Sequence, residues 1–287
     1  MSATSQDATA RQLPMRWEEL TAREFPAAVE RAGGVCIVPI GCMEKHGDHL
    51  PLGTDVFEAR AIADRAAAVE PAIIFPTYFT AQICEARHTP GTISYSHRVH
   101  WDMLTETVDE IIRNGMNKII LLNGHGGNIQ WLTYFAQTQL EKRRDASVYV
   151  AWPFIDDAET RAVAECAVDG HAGEKETSLM LHIAPELVRM GDLDAPGRPL
   201  ERAPTLRLEG LNNSIWWYAR YPRHYAGDGA FGSAAKGERL LASHVGRTVG
   251  FIRAVKADTE VADLEREFHA AALNPLGRPG ARHPAAS

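Results

Sequence analysis

The segment of residues 41–55, GCMEKHGDHLPLGTD, combines carboxylates and imidazoles with glycine and proline in one short stretch. It carries Glu44, His46 and Asp55 and directly follows the apolar run GVCIVPI. Mixed carboxylate and imidazole ligands suit a divalent metal ion. Alternate residues of an extended loop point to the same side, so a Glu-x-His spacing can present two ligands together. Taken alone, the segment could equally be a polar loop with one or two salt bridges.

Two further segments share this character. Residues 118–128 read KIILLNGHGGN, an apolar run followed by a Gly-rich turn around His125. Residues 169–178 read DGHAGEKETS, with a histidine and two glutamates ahead of the helical pattern SLMLHIAPELV. In an open α/β sheet, ligands bind outside the carboxyl ends of the strands. Because two of the three segments follow strand-like runs, we expect all three to meet at one edge of a sheet.

The three motifs GCMEKHGDHLPLGTD, NGHGGN and HAGEKETSLML resemble those of the creatininase (creatinine amidohydrolase) family, in the same order and spacing. GTISYS, at residues 91–96, is similar to that family's PGTIS segment, and the likeness runs from about Gly34 to the region of Pro185. The resemblance implies an α/β fold, a mostly parallel sheet flanked by helices on both faces, with a two-metal hydrolytic site. The family includes creatinine ring-openers, a formylaminopyrimidine deformylase, a peptidase of mycofactocin maturation and a hydrolase of inositol catabolism. The motifs therefore do not identify a substrate.

The resemblance also implies a set of metal ligands. In the characterised creatinine-opening enzyme two ions share one aspartate. By position, Glu44, Asp55 and His125 would hold one ion here, and His46, Asp55 and a further carboxylate would hold the other. Creatinine-opening members carry a glutamate two residues after the histidine of the Gly-rich loop, whereas this chain has Gly127.

We expect Glu174 to supply the missing carboxylate, as a metal ligand and catalytic residue, because it follows His171 at a helical i, i+3 spacing. Its alternative role is to stabilise the N-terminus of a helix. His171 aligns with the family's catalytic histidine and is expected to protonate the leaving nitrogen; an outer hydrogen-bonding role is the alternative. Glu176 is expected to orient a ligand, and Asp48 and His49 to brace the first loop.

Four residues are expected to bind substrate: Trp152, His88, Tyr221 and His224. Trp152 matches a tryptophan that covers substrate in the creatinine enzymes, but a second such tryptophan falls on Ala167, which argues against creatinine itself. Tyr221 and His224 belong to the aromatic and basic stretch WWYARYPRHYAGDG of residues 216–229. Such a composition also suits a subunit interface.

Composition limits the remaining possibilities. The chain has 287 residues, of which 45% are hydrophobic and 23% charged, enough apolar material for a sizeable core. A formal net charge of −7 and the lack of a basic block argue against nucleic-acid or anionic-membrane partners. Four scattered cysteines and an N-terminus without an apolar signal region favour a cytoplasmic protein.

Strand-like and helical patterns alternate along most of the chain, which predicts one α/β domain over residues 15–272. The strand-like runs include AIIFPTYF at 72–79, and one of the helices is predicted to run from Ile129 to Arg144. We expect residues 1–14 and 273–287 to be a disordered lead and tail. Residues 192–237 interrupt the alternation with many Pro, Gly and aromatic residues, and a long helix follows from Glu238.

We therefore expect a metal-dependent hydrolase that cleaves a C–N bond of a small cyclic amide, formamide or similar substrate. Hydroxide generated at two divalent ions, Zn, Mn or Fe, would be the nucleophile. One alternative is hydrolysis of a cyclic ketone, as in inositol catabolism, by the same hydroxide. Another is a non-catalytic metal-binding oligomer, which Gly127 keeps open. The family resemblance implies a homo-oligomer, a hexamer or a dimer.

Overall fold

Short apolar runs form a four-stranded parallel sheet in the computed structural model, which describes residues 15–277. The strands are β1 (Val35–Ile40), β2 (Ile73–Ile74), β3 (Lys118–Asn123) and β4 (Ser147–Ala151), in the order β2-β1-β3-β4. All three strand pairs are parallel. The expected lead of residues 1–14, and residues 278–287 of the expected tail, lie outside the described residues.

Nine α-helices accompany these strands within residues 15–277: α1 (Phe25–Arg31), α2 (Thr54–Val69), α3 (His97–Arg113), α4 (Asn128–Thr138), α5 (Ala158–Val163), α6 (Glu174–Ile183), α7 (Trp216–Arg220), α8 (Ala234–Ala257) and α9 (Glu260–Ala272). The predicted alternation is confirmed, with shifted boundaries. Helix α4 stops before the predicted Arg144 and continues only as the 3-10 turn Gln139–Glu141. Helix α8 begins earlier than predicted because the side chain of Ser233 caps it, accepting a hydrogen bond from the Lys236 amide.

The second strand is much shorter than its apolar run of residues 72–79. Pro76 has no N–H to donate to a ladder, so regular pairing stops before it. Only an isolated bridge between Ile40 and Tyr78 extends the contact. This edge of the sheet is therefore irregular.

Side chains of the central strands point alternately to the two faces of the sheet, and helices pack on both faces. Val35 and Ile37 pack into a core with helices α2, α6 and α8, whereas Cys36 and Val38 pack into a second core with α1, α3 and α4. Strand β3 alternates in the same way. The predicted α/β class, with helices on both faces, is confirmed. Among the described residues, no helix combines the length and apolarity required to cross a bilayer.

Two glycines bring helix α2 against the ends of the central strands. A Cβ on Gly41 would lie 2.4 Å from the Val56 amide nitrogen, and one on Gly124 would lie 2.8 Å from the Ala59 Cβ. Glycine at both positions lets the first turn of α2, which carries Asp55, approach the carboxyl edge of the sheet.

Candidate metal centre

Four of the five residues expected as metal ligands come together at the carboxyl edge of the sheet. Glu44 and His46 lie in the loop after β1, His125 follows β3, and Asp55 lies in the first turn of α2. All four are almost completely buried. The sheet edge, the glycines and the helix N-terminus thus bring together residues that are up to 81 positions apart in the chain.

Asp55 stands between two histidines. Its Oδ1 lies 3.0 Å from His46 Nε2, and its Oδ2 lies 2.9 Å from His125 Nδ1. Glu44 Oε1 lies 2.8 Å from the same nitrogen of His125. A carboxylate with one oxygen toward each of two imidazoles has the arrangement of a ligand shared by two ions.

Backbone carbonyls fix the orientation of the two imidazoles. His125 Nε2 lies 2.9 Å from the Gln82 carbonyl, and His46 Nδ1 lies 3.2 Å from the Glu44 carbonyl. A carbonyl only accepts, so these nitrogens carry the protons in the neutral rings, and the other nitrogens turn lone pairs toward the carboxylates. Histidines that bind metals are oriented in this way.

The charged groups of this cluster shift one another's pKa values. Although burial alone would raise it, the pKa of Glu44 is held well below its usual range by His171 and His125. Although burial alone would lower it, the pKa of His46 is raised to about 10 by Asp55. The protonated imidazoles stand where a cation would stabilise the carboxylates equally well. Converging lone pairs of buried oxygen and nitrogen donors fit a divalent metal ion.

The structure does not bring Glu174 to this cluster. Its buried carboxylate accepts hydrogen bonds from the amides of Glu165 (2.9 Å) and Cys166 (2.7 Å) and pairs with Lys236 Nζ at 2.6 Å. The i, i+3 argument fails because His171 precedes helix α6 rather than belonging to it. Ala172, with φ of 57°, turns the chain between the two residues, so they face different directions.

Glu176 instead faces the cluster. Its Oε2 lies 3.7 Å from His46 Nε2 and accepts a hydrogen bond from the Ala172 amide at 2.5 Å. Burial raises the pKa of Glu176 to about 7, against the opposing effect of His46. Position 127 could not hold the carboxylate of the creatinine enzymes in this backbone, because a Cβ on Gly127 would lie 2.5 Å from His125 Nε2.

Two further residues of the cluster were not predicted as site residues. The buried Glu58 lies one helical turn after Asp55, and its Oε1 has no hydrogen-bond partner within the described residues. Burial, with Glu176 and Asp55 nearby, raises its pKa well above the usual range. The thiol of Cys42 touches Glu44 and Asp55. The i, i+3 spacing of Asp55 and Glu58 and the position of Cys42 beside Glu44 were the available signals.

His171 and His224 form the outer side of the cluster. His171 Nε2 donates to the Lys45 carbonyl at 2.6 Å, and its ring centre lies 4.3 Å from that of His46. His224 Nδ1 accepts from the indole of Trp217 at 2.8 Å, which leaves the proton on Nε2 for Glu44 Oε2 at 2.5 Å. His224, expected to bind substrate, thus contacts a candidate metal ligand directly.

The other expected substrate residues lie at different distances from this centre. His88 bonds the Pro222 carbonyl at 3.0 Å, and its ring centre lies 6.2 Å from that of His224. Tyr221 packs on Trp217, which contacts both His171 and His224. Trp152 instead packs on Phe154 at 5.0 Å, on the α8 side of the sheet.

Comparison with known proteins gives the same assignment over most of the chain. The family model described as creatinine amidohydrolase matches residues 18–252. The chain belongs to the creatininase family. It is 31% identical to a mycofactocin precursor peptide peptidase of Mycolicibacterium smegmatis, over 73% of this chain and 80% of the relative. It is 28% identical to a creatinine amidohydrolase of Pseudomonas putida, over 61% of this chain and 73% of the relative.

A solved creatininase structure shares the fold. It superimposes with a TM-score of 0.71 at 24% identity and covers 86% of this chain and all of that chain. The expected family and its α/β architecture are thereby confirmed, and membership of the creatininase family makes this chain a hydrolase.

Proposed function

We propose that this creatininase-family hydrolase is metal-dependent and cleaves the C–N bond of an amide. The observation that carries the proposal is the position of Asp55, with one carboxylate oxygen toward His46 and the other toward His125. Glu44, Asp55 and His125 would hold one divalent ion, and His46, Asp55 and Glu176 a second. Such ions, when bound, polarise a carbonyl and lower the pKa of water. Glu176 takes the role that we expected of Glu174.

His171 is suited to move a proton to the leaving nitrogen. Burial lowers its pKa to about 3, so the ring is neutral at pH 7. With Nε2–H donated to the Lys45 carbonyl, Nδ1 carries the ring's lone pair, so a proton moved by His171 would pass through that atom. Because burial disfavours the imidazolium, the protonated ring is a strong acid toward the leaving nitrogen, and the same lowered pKa makes the neutral ring a weak base. The side chain is 12% exposed, the most accessible of the cluster's histidines, as contact with substrate requires.

The proposal favours a peptide-like amide over creatinine. A cleft of about 270 Å³ is lined by Ala167, where the creatinine enzymes place an aromatic lid, and by Gly227 and Phe231. Next to Gly227, the Ala226 amide donates to the His171 carbonyl at 2.9 Å. This hydrogen bond joins the wall of the cleft to the loop that carries His171. Both relatives named above are, by name, hydrolases of amide-type C–N bonds, and the peptidase is the more similar.

A substrate panel with metal-reconstituted enzyme tests the proposal. The panel contains short peptides, formamides, lactams, creatinine and a cyclic ketone, each assayed with Zn, Mn or Fe. We expect metal-dependent release of an amine from an amide, fastest with peptides, and loss of this activity in His125→Ala. Turnover of the ketone alone, or of amides by metal-free enzyme, would contradict the proposal.

Exposed apolar residues before α7 and at its first position support a homo-oligomer. Leu208, Leu211, Ile215 and Trp216 are each between 46% and 62% exposed. Trp217 and Tyr221, on the same short helix and its end, pack toward His224 instead. We therefore propose that residues 208–221 lie at a subunit boundary on one side and contact the active site of their own subunit on the other.

A further inference from the structure

Cys42 lies against three of the atoms that surround the proposed first ion. Its Sγ is 3.2 Å from Glu44 Oε1, 3.2 Å from Asp55 Oδ2 and 3.4 Å from His125 Nδ1. The side chain is completely buried. No other cysteine of the described residues belongs to a cluster of potential metal ligands.

A neutral thiol by itself can satisfy only one of these contacts. Because His125 Nε2 donates to the Gln82 carbonyl, Nδ1 faces the sulfur and both carboxylates, and these atoms can lie together only with a proton or another cation at Nδ1. A thiol has one hydrogen and can serve only one of its three neighbours. The other contacts depend on the Nδ1 proton of His125, and a metal ion at the centre of the four atoms would take the place of that proton and of the thiol hydrogen.

The distances also match the edges of a metal coordination polyhedron. Zinc lies about 2.3 Å from thiolate sulfur and about 2.0–2.2 Å from imidazole nitrogen or carboxylate oxygen. In a tetrahedron these lengths give S···O and S···N edges of about 3.5 Å and O···N edges of about 3.3 Å. The corresponding edges here are 3.2–3.4 Å at sulfur and 2.8–2.9 Å at His125 Nδ1. A small expansion would fit an ion between the four atoms.

We propose that Cys42 Sγ is a fourth protein ligand of the first ion, beside Glu44, Asp55 and His125. The inference rests on the metal centre proposed above. A thiolate ligand selects zinc and other thiophilic ions over manganese, which prefers oxygen donors. Cys42 is then the residue that determines metal preference at this position, while the second position, with His46, Asp55 and Glu176, keeps a set of nitrogen and oxygen ligands.

Cobalt substitution of the full-length protein tests this assignment independently of activity. Cobalt(II) reports its coordination through visible d–d bands, and a thiolate ligand adds a sulfur-to-cobalt charge-transfer band in the near ultraviolet. We expect both kinds of band in the native protein. Cys42→Ser should lose the charge-transfer band and keep d–d bands, whereas the control Cys84→Ser, at an exposed cysteine, should keep both.

Metal competition supplies the second readout. Native protein and Cys42→Ser are each supplied with equal amounts of zinc and manganese, and the bound metals are measured. The ratio of bound zinc to bound manganese should be lower in Cys42→Ser by at least roughly 10- to 100-fold, the loss of metal affinity typical when even a residue that only supports a metal ligand is removed. Cobalt d–d bands without a charge-transfer band in the native protein would overturn the role of Cys42 but leave the metal centre. No cobalt binding would overturn both. Persistence of the band in a folded Cys42→Ser variant would also overturn the assignment.

Discussion

Replacement of Glu174 by glutamine distinguishes two roles for this residue. The structure supports a stabilising role in a buried ion pair, whereas the sequence spacing suggested a metal ligand. The carboxylate of Glu174 accepts two backbone hydrogen bonds and faces Lys236, and its side chain is 1% exposed. Glutamine keeps the size and one acceptor oxygen but removes the charge. We expect Glu174→Gln to lower stability and leave metal content unchanged.

The magnitude follows from these contacts. Hydrogen bonds to a charged group contribute about 1.5–3 kcal/mol each, and removing one partner of a buried pair costs about 3–5 kcal/mol. Glutamine retains part of the hydrogen bonding, and Lys236 keeps a second partner in Glu165 at 2.7 Å. The free energy of unfolding should therefore fall by about 2–3 kcal/mol, and Tm by roughly 4–12 °C for a domain of this size.

Urea unfolding, calorimetry and elemental analysis measure these effects on one preparation. Lys236→Met is the matched control, because it removes the other partner of the Glu174–Lys236 ion pair. It should destabilise similarly, and the double variant should be less destabilised than the sum of the single variants, because both remove the same interaction.

Glu176→Gln is the opposite control. It should lose one metal equivalent with little change in the stability of the metal-free protein. If Glu174→Gln instead lost one metal ion and retained its stability, the position of Glu174 and the assignment of Glu176 would both be refuted.

Three further predictions concern catalysis, pH and assembly. His171→Ala should keep its metal ions and slow turnover by roughly a hundred- to ten-thousandfold; unchanged turnover, measured beside metal analysis, would exclude proton transfer by His171. Burial and, to a smaller extent, Arg247 lower the pKa of His244 to about 4 in the folded protein. In the unfolded chain the same imidazole becomes protonated below about pH 6.5. The unfolding free energy of the metal-free protein should therefore fall between pH 6.5 and 4, by up to about 3 kcal/mol more than in His244→Gln; parallel urea titrations would contradict this. Light scattering should show at least a dimer, most simply a hexamer, that Trp216→Glu weakens; a monomer at micromolar concentration would refute the interface.

The sequence predicted the elements whose signals are local. The apolar runs GVCIVPI and KIILLN, each ending in a Gly-rich turn, predicted two strands. The same pattern predicted that the loops after these strands meet at the carboxyl edge of the sheet. Glu44, His46, Asp55 and His125 were predicted from this pattern and the family motifs together. They meet because parallel strands bring their carboxyl ends to one edge.

The structure places Glu174 away from the cluster, contrary to the sequence expectation, for a conformational reason. The i, i+3 rule holds inside a helix, whereas α6 begins only at Glu174 and the left-handed backbone at Ala172 redirects the chain. A positive φ at an alanine leaves no signal in a single sequence. Likewise, the contact of His224 with Glu44 joins residues 180 positions apart through an irregular segment, and no periodic pattern indicates it.

Metal content of Asp55→Ala tests the central claim most directly, because Asp55 is the residue that both proposed ions share. Elemental analysis of the native protein should find two divalent ions per chain after reconstitution. Asp55→Ala should lose both ions and all metal-dependent amide hydrolysis while remaining folded by circular dichroism. Retention of two ions and native activity by Asp55→Ala would contradict the shared two-metal centre.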